Sequence, residues 1–287
     1  MKKKHLISAV LLCAAGIAAS GLYCGLTTRQ YTVSTELLPA GERIRIVMLS
    51  DLHSYVYGKD QQPLLDRVRG LKPDLIVLCG DIVDDKQPTE GAELLLSQIA
   101  AIAPCYYVSG NHEFWADEPQ EIFRMIESYG VRVLHDTRET VRVGNSEIVL
   151  CGVDDPAGYG SGKPGSTGSY GSRAQYQAVL SMFDDLPEDR FTVLLAHRPE
   201  YIAEYAAHQF DLALCGHAHG GQWRIPFLMN GLIAPNQGFF PQYAGGQYEY
   251  GELTQIVGRG LVCDWKPRVF NPPEVVAVDI TGSEGSP

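Results

Sequence analysis

Apolar and polar positions along this chain follow two periods, and the elements they predict alternate in a regular order. Ile44–Ser50, Asp74–Cys79 and Cys105–Ser109 are short apolar-rich runs, the middle one nearly continuous, as expected of strands covered on both faces. Between the first two, Leu64, Leu65, Val68 and Leu71 recur at helical spacing from about Pro63 to Gly70, and Lys72-Pro73 stops the pattern. A second helix is predicted from Glu90 to about Ile102, capped by Thr89, with Leu94, Leu95, Ile99 and Ile102 on it. A third covers Asp117–Tyr129, burying Ile122, Phe123, Met125 and Ile126, with Pro119 in its first turn, where a missing N–H costs nothing.

The period then changes to two. Val131 and Val133, Val141 and Val143, and Ile148 and Leu150 predict antiparallel strands with a turn near Gly144-Asn145. A helix over Arg173–Leu186, a strand over Phe191–Ala196, a helix from about Pro199 to His208 and a buried strand over Phe210–Leu214 follow, and Leu253–Val257 and Val275–Ile280 read as final strands. Four segments lack a period. Thr27–Arg43 reads as a polar connector with one extended patch, Tyr31-Thr32-Val33. Ala157–Gly171 is rich in glycine and serine and reads as a surface loop rather than a lid. In Trp223–Gln242 the aromatic residues Phe227, Phe239 and Phe240, like Trp115 upstream, read as packing residues rather than an apolar track. Ser283–Pro287 is a frayed tail. The alternation of strand and helix predicts an α/β chain whose functional groups lie beyond the carboxyl ends of its strands.

The N-terminus has a different character. After Lys2-Lys3-Lys4, the stretch Leu6–Leu26 is interrupted only by Ser8, Ser20 and Tyr23. As a helix it would be roughly 30 Å long, enough to cross a bilayer. Three lysines precede it and only Arg29 follows closely, so the N-terminus is expected inside a cell membrane and the body outside. Residues 1–30 are thus read as lysines plus anchor, and 31–287 as the folded body. A cleavable signal at Ala18-Ala19-Ser20, giving a secreted body, is the rival reading; the run on to Leu26 favours a retained anchor.

Composition narrows this picture. The 287 residues allow one large domain or two small ones, and 45% hydrophobic with 20% charged content is that of an ordinary globular protein. A net charge of -11, without a basic stripe, argues against nucleic acid as a partner. None of the seven cysteines forms a Cys-x-x-Cys pair. Cys79, Cys105, Cys151 and Cys215 lie in or beside apolar strands and read as small hydrophobes, and unpaired thiols argue mildly against an oxidising exterior.

The candidate chemistry lies at five strand ends, which carry Asp51 and His53, Asp81, Asn111 and His112, His197, and His217 with His219. His217 and His219 are two residues apart, so on an extended backbone both would face one site. Three acid or amide oxygens and four imidazoles would give two metal ions about four ligands each if one carboxylate is shared. Nitrogen and oxygen donors without thiolate suit Mn²⁺, Fe or Zn²⁺ better than Ca²⁺.

Asp51-x-His53, Gly80-Asp81-x-x-Asp84, Gly110-Asn111-His112-Glu113, His197 and Gly216-His217-x-His219 resemble, in order, the five motifs of the calcineurin-like metallophosphoesterases. The resemblance runs from about Ile44 to Val262. With the N-terminal stretch and Gly220-Gly221-Gln222, it extends to a bacterial membrane-associated branch similar to phosphodiesterases and UDP-2,3-diacylglucosamine pyrophosphatase-like enzymes. It implies a four-layer sandwich of two mixed sheets flanked by helices. It also implies two divalent ions, Mn²⁺ ahead of Fe or Zn²⁺: one held by Asp51, His53 and His219, the other by Asn111, His197 and His217, with Asp81 bridging. The implied reaction is attack on phosphorus by a hydroxide held between them, with His112 protonating the leaving oxygen. Asp84 is expected to orient His112 or a ligand, and Glu113 to serve backbone hydrogen bonds. A phosphate ester at the membrane or envelope, lipid-linked substrates included, is the expected partner. The alternative is a non-catalytic binding or scaffold relative, which the complete ligand set disfavours.

Overall fold

A computed structural model describes residues 20–160, 173–263 and 267–284, with isolated positions 5, 8 and 16 before them. The expected anchor Leu6–Leu26 lies mostly outside the described residues, as do residues 161–172 of the glycine- and serine-rich segment. Among the described residues no helix is long and apolar enough to cross a membrane.

Fourteen strands, numbered in chain order, form two six-stranded sheets and one small hairpin among the described residues. The first sheet runs β1 (Thr27–Thr35), β14 (Glu274–Gly282), β2 (Arg43–Leu49), β3 (Leu75–Cys79), β4 (Cys105–Val108) and β5 (Arg132–Val133). From β2 to β5 all neighbours are parallel, and β14 is antiparallel to β2. The second runs β12 (Gly246–Tyr250), β13 (Leu253–Val257), β9 (Leu212–Cys215), β8 (Phe191–Leu195), β7 (Ser146–Gly152) and β6 (Thr137–Val143), parallel from β13 to β7 with antiparallel edges. The hairpin pairs β10 (Ile233–Ala234) with β11 (Gly238–Phe239).

The period of two decides which side chain meets which layer. Ile44, Ile46 and Met48 of β2 join Val77, Tyr106, Ile148, Leu150, Val193 and Leu214 in a core between the sheets. The alternate residues Val47 and Leu49 face outward and pack with Leu64, Leu65, Val68, Leu95 and Phe123 of the helices Gln62–Leu71, Glu90–Ile99 and Pro119–Ser128. Val149, Cys151, Leu194 and Cys215 do the same on the other outer face, against Tyr176, Leu180 and Tyr205. The expected α/β architecture, two mixed sheets between helices, is the one found. The four thiols read as small hydrophobes are buried and free.

Three expectations need correction. Thr27–Thr35 is no connector: it pairs in full with β14 as an edge strand, a role its polar residues conceal because an edge needs only one apolar face. The helices expected over Arg173–Leu186 and Pro199–His208 are short, Arg173–Leu180 and Ile202–Tyr205, each joined to a 3₁₀ turn. Cys24 and Cys263, expected to be unpaired, are joined in a disulfide across a sequence separation of 239, while Cys79, Cys105, Cys151 and Cys215 stay free.

Candidate active site

The two sheets bring their carboxyl ends to one seam. Asp51 and His53 follow β2, Asp81 follows β3, and Asn111 and His112 open a five-residue helix, Asn111–Trp115, after β4. From the second sheet, His197 follows β8, and His217 and His219 follow β9. Only tertiary packing makes these eight residues neighbours. Six of them, with Trp115, Gln222, Asn236 and Arg268, line a cleft of about 740 Å³; Asp51 and His197 lie buried beneath it.

Four groups among the described residues have the composition of metal sites, the ligand-capable atoms of each within 4.8 Å of one another: Asp51, His53 and His219; Asp81, His197 and His217; and two that include His112, with His53 and Asp81 or with Asp84 and Asp85. The first two hold the four histidines expected as ligands. Asp81 joins these two groups. Its Oδ2 lies 3.2 Å from His197 Nε2 and 3.7 Å from His53 Nε2, while its Oδ1 accepts the His112 backbone N–H at 2.9 Å. His219 Nε2 is 3.7 Å from Asp51 Oδ1, and His217 Nδ1 is 3.2 Å from His197 Nε2. His217 and His219 therefore serve different clusters. Both still face one cleft, as expected, but not through an extended backbone: both residues are left-handed, at φ 66° and 47°.

Asp51, His53 and Asp81 share that conformation, at φ 52°, 48° and 52°. Non-glycine residues held there cost on the order of 1–3 kcal/mol each and persist only where the surroundings fix them. Here those surroundings are hydrogen bonds between the strand ends. Asp51 N–H donates to Gly80 O, His53 N–H to Asp81 O, and His217 N–H to Asp51 Oδ1, at 2.9–3.0 Å. Glu113, fully buried, accepts the backbone N–H groups of Asp81, Ile82, Val83 and Gly110, which is the backbone role expected of it. At Gly110 a Cβ would overlap Asp81 Oδ1, so this position admits only glycine.

Four of the five imidazoles, those of His53, His112, His197 and His217, are oriented through one ring nitrogen. His197 Nδ1–H donates to Cys79 O at 2.8 Å, leaving Nε2 toward Asp81. His217 Nε2 lies 2.9 Å from Asn236 Oδ1, which fixes Nδ1 as its free acceptor, and His53 Nδ1 lies 3.0 Å from Asp84 Oδ2. His112 Nδ1 meets Asp85 Oδ1 at 2.6 Å and stands 3.4 Å from Asp84 Oδ2. Asp84 thus supports His53 foremost, and Asp85 is the nearer partner of His112.

Electrostatics divide the ligand imidazoles: against burial, which would lower both, the bond to Asp84 raises His53 and the Asp81 carboxylate raises His197 to about 10. Burial, reinforced by Arg198 and His197, holds His217 well below the usual imidazole range; burial, His53 and Arg268 do the same to His219. Neutral imidazole is the form that binds a cation. Burial alone would raise Asp81, but His197 and His112 outweigh it and hold the carboxyl well below its ordinary value. Burial would likewise raise Asp84, yet its bond to His53 brings it down to about 2.

The residues present fit a pair of divalent cations. His53 Nε2, Asn111 Oδ1 and His219 Nδ1 are buried with no hydrogen-bond partner among the described residues, which is unusual for buried polar atoms. Their nitrogen and oxygen character suits transition-metal ions of intermediate hardness. Asp85 and Asn236 went unread in the sequence. Asp85 had a signal, standing next to Asp84 after the Gly80-Asp81 motif; Asn236 lies 19 residues past His217 in an aperiodic stretch and had none.

Comparison with known proteins agrees. Residues 44–221 match the family model described as calcineurin-like phosphoesterase. A metallophosphoesterase of Aquifex aeolicus is 31% identical over 267 residues, covering 90% of this chain and 92% of its own. A zebrafish (Danio rerio) protein named as a transmembrane protein with metallophosphoesterase domain is 30% identical, covering 80% of this chain and 54% of that one. The solved structure of TT1561 from Thermus thermophilus shares the fold, with a TM-score of 0.52 at 15% identity, over 77% of this chain and 91% of that one. The chain belongs to the calcineurin-like phosphoesterases, metal-dependent hydrolases of phosphate esters.

Proposed function

We propose that this chain is a phosphodiesterase acting on a lipid-linked or other envelope phosphodiester, as in the membrane-associated branch similar to UDP-2,3-diacylglucosamine pyrophosphatase-like enzymes. The observation that carries the catalytic part is the placement of Asp81 Oδ2 between His197 and His53, with a cluster of donors on either side. Asp51, His53 and His219 would hold one cation, Asn111, His197 and His217 the other, and Asp81 would bridge them. Mn²⁺ is the preferred ion, ahead of Fe or Zn²⁺. When bound, such a pair supplies charge neutralisation at phosphorus and a nucleophile at neutral pH.

The chain's own residues do the rest. His112 lines the cleft, with Nδ1 held by Asp85 and its ring against Trp115 at a centroid distance of 4.8 Å. That leaves Nε2 to place a proton on the leaving oxygen. Asp84 and Asn236 keep His53 and His217 in the orientation and tautomer that ligation needs.

The substrate's location rests on the N-terminal stretch. Leu6–Leu26 is long and apolar enough to anchor the body outside a cell membrane, the disulfide suits an oxidising compartment, and the zebrafish relative carries a membrane segment in its name. The test is hydrolysis of bis(p-nitrophenyl) phosphate by the purified chain loaded with Mn²⁺. We expect activity that a chelator removes and that Asp81→Asn lowers by at least about 100-fold, beyond what loss of an outer partner costs. A chain that binds two cations yet hydrolyses neither mono- nor diesters would overturn the reading.

A further inference from the structure

The segment expected to pack inside the protein stands outside it. Phe227 is fully exposed and Leu228 84% exposed, and Phe239 and Phe240 are 70% and 71% exposed. Trp223 and Ile225 are about half exposed beside them. From Ile225 to Tyr248 there is no Asp, Glu, Lys or Arg, in a chain of 20% charged residues. Nor is this a loose loop. Ile225 and Met229 exchange both backbone hydrogen bonds, at 3.0 and 2.8 Å, and hold Phe227 and Leu228 at the tip between them. Phe239 lies in the β10–β11 hairpin, and Phe240 N–H donates to Leu232 O at 2.8 Å. Phe227 and Phe240 occupy the left-handed region, at φ 67° and 57°, which is costly for bulky residues. Soluble proteins seldom expose so many large apolar side chains from one segment without a partner for them.

The structure also ties this segment to the N-terminal stretch. Phe270 N–H donates to Gly21 O at 2.6 Å, and the adjoining Val269 bridges Trp223. Trp223 Nε1–H reaches Pro267 O at 2.9 Å, and the Cys24–Cys263 disulfide closes the same region. The apolar Leu6–Leu26 sequence therefore ends against the base of the exposed platform, with Leu22 and Tyr23 themselves exposed there. The same segment supplies Pro235 and Asn236 to the cleft, and Gln222 just before it lines the cleft too.

We infer that Trp223–Phe240 is a membrane-docking platform whose occupant is the phospholipid bilayer that holds the N-terminal stretch. Phe227, Leu228, Phe239 and Phe240 insert into the headgroup–acyl boundary, and the cleft mouth is held at the leaflet surface. The inference rests on the proposed anchor and deepens the substrate reading: the phosphodiester is presented by a lipid in that leaflet. Attachment is apolar, since a chain of net charge -11 gains nothing from anionic headgroups, so added salt leaves docking unchanged.

The test uses the full chain in phosphatidylcholine nanodiscs, with one tryptophan added at Phe227 (Phe227→Trp), at Phe239 (Phe239→Trp), or at the exposed Met182 on the helical layer (Met182→Trp), each compared with the parent chain. Lipids brominated near the top of the acyl chain place the quencher roughly 5–10 Å below the headgroups, and the emission added at 227 and 239 should fall by about half or more. Emission added at 182 should not change. If the chain stays with the nanodiscs but 227 and 239 are quenched no more than 182, the docking inference fails while the anchor stands. A chain that does not stay with the discs overturns both. Quenching that is absent in discs, together with a dimer in detergent that Phe227→Glu converts to monomer, would assign the platform to a second copy instead.

Discussion

His112 and Asp84 act on different atoms, and substitution should separate them. His112 faces the cleft and is not among the residues assigned to the cations, so His112→Ala should lower turnover by about 10²–10⁴-fold and leave the metal content of purified protein unchanged. Asp84 meets the ring of His53, so Asp84→Asn should cost about 10–100-fold in metal affinity, read by titration with Mn²⁺. Glu113 is outside the cleft lining and the residues assigned to the cations, yet its carboxylate takes four backbone N–H groups that hold Asp81 and Gly110. Leaving buried donors without an acceptor costs about 1–3 kcal/mol each, so Glu113→Ala should lower the unfolding free energy by several kcal/mol in urea titration. Activity should fall with it, because the left-handed turn at Asp81 loses the bonds that fix it.

Among the elements, β14 carries an unusual burden: it is the one strand that joins β1 to the rest of the first sheet. Its Asp279 is gripped by Arg45 of β2 through two bonds of 2.7 Å and accepts a third from Gln30 of β1. The bond to Arg45 holds the Asp279 carboxyl below its ordinary value. A carboxyl lowered by folding stabilises the fold above its unfolded value of about 3.9, and that contribution disappears as pH falls through the acid range. The difference in melting temperature between the parent chain and Asp279→Asn should therefore be largest near neutrality and shrink toward zero on acidification. A constant difference would mean that packing, not charge, supplies the contribution. The seam itself depends on elements in the same way: β2, β3 and β4 present one half of the constellation, β8 and β9 the other, and no single sheet carries a complete pair of clusters.

Across the whole molecule, the Cys24–Cys263 disulfide fastens the end of the N-terminal stretch to the loop whose Val262 and Arg268 line the cleft. Cross-links closing long loops add about 2–4 kcal/mol in typical cases, so reduction, or Cys263→Ser, should lower the denaturation free energy by that amount. The five motifs, the helix faces and most strands could be read from the sequence, because burial on both sides enforces apolar runs and a site at strand ends enforces short polar signatures. The edge strand Thr27–Thr35 could not, since its polar residues look like those of a connector. Neither could the exposure of Phe227, Phe239 and Phe240, because an aromatic side chain carries no mark of which side of the surface it will occupy. The sequence by itself determined the element types, the family and the set of groups capable of holding cations. Tertiary structure alone decided that left-handed turns aim the strand-end side chains, that Asp85 and Asn236 support the imidazoles, and that Cys24 reaches Cys263. The physical reason is that local periodicity reports burial along one element, whereas partners distant in the chain meet only where packed sheets and left-handed turns bring them together.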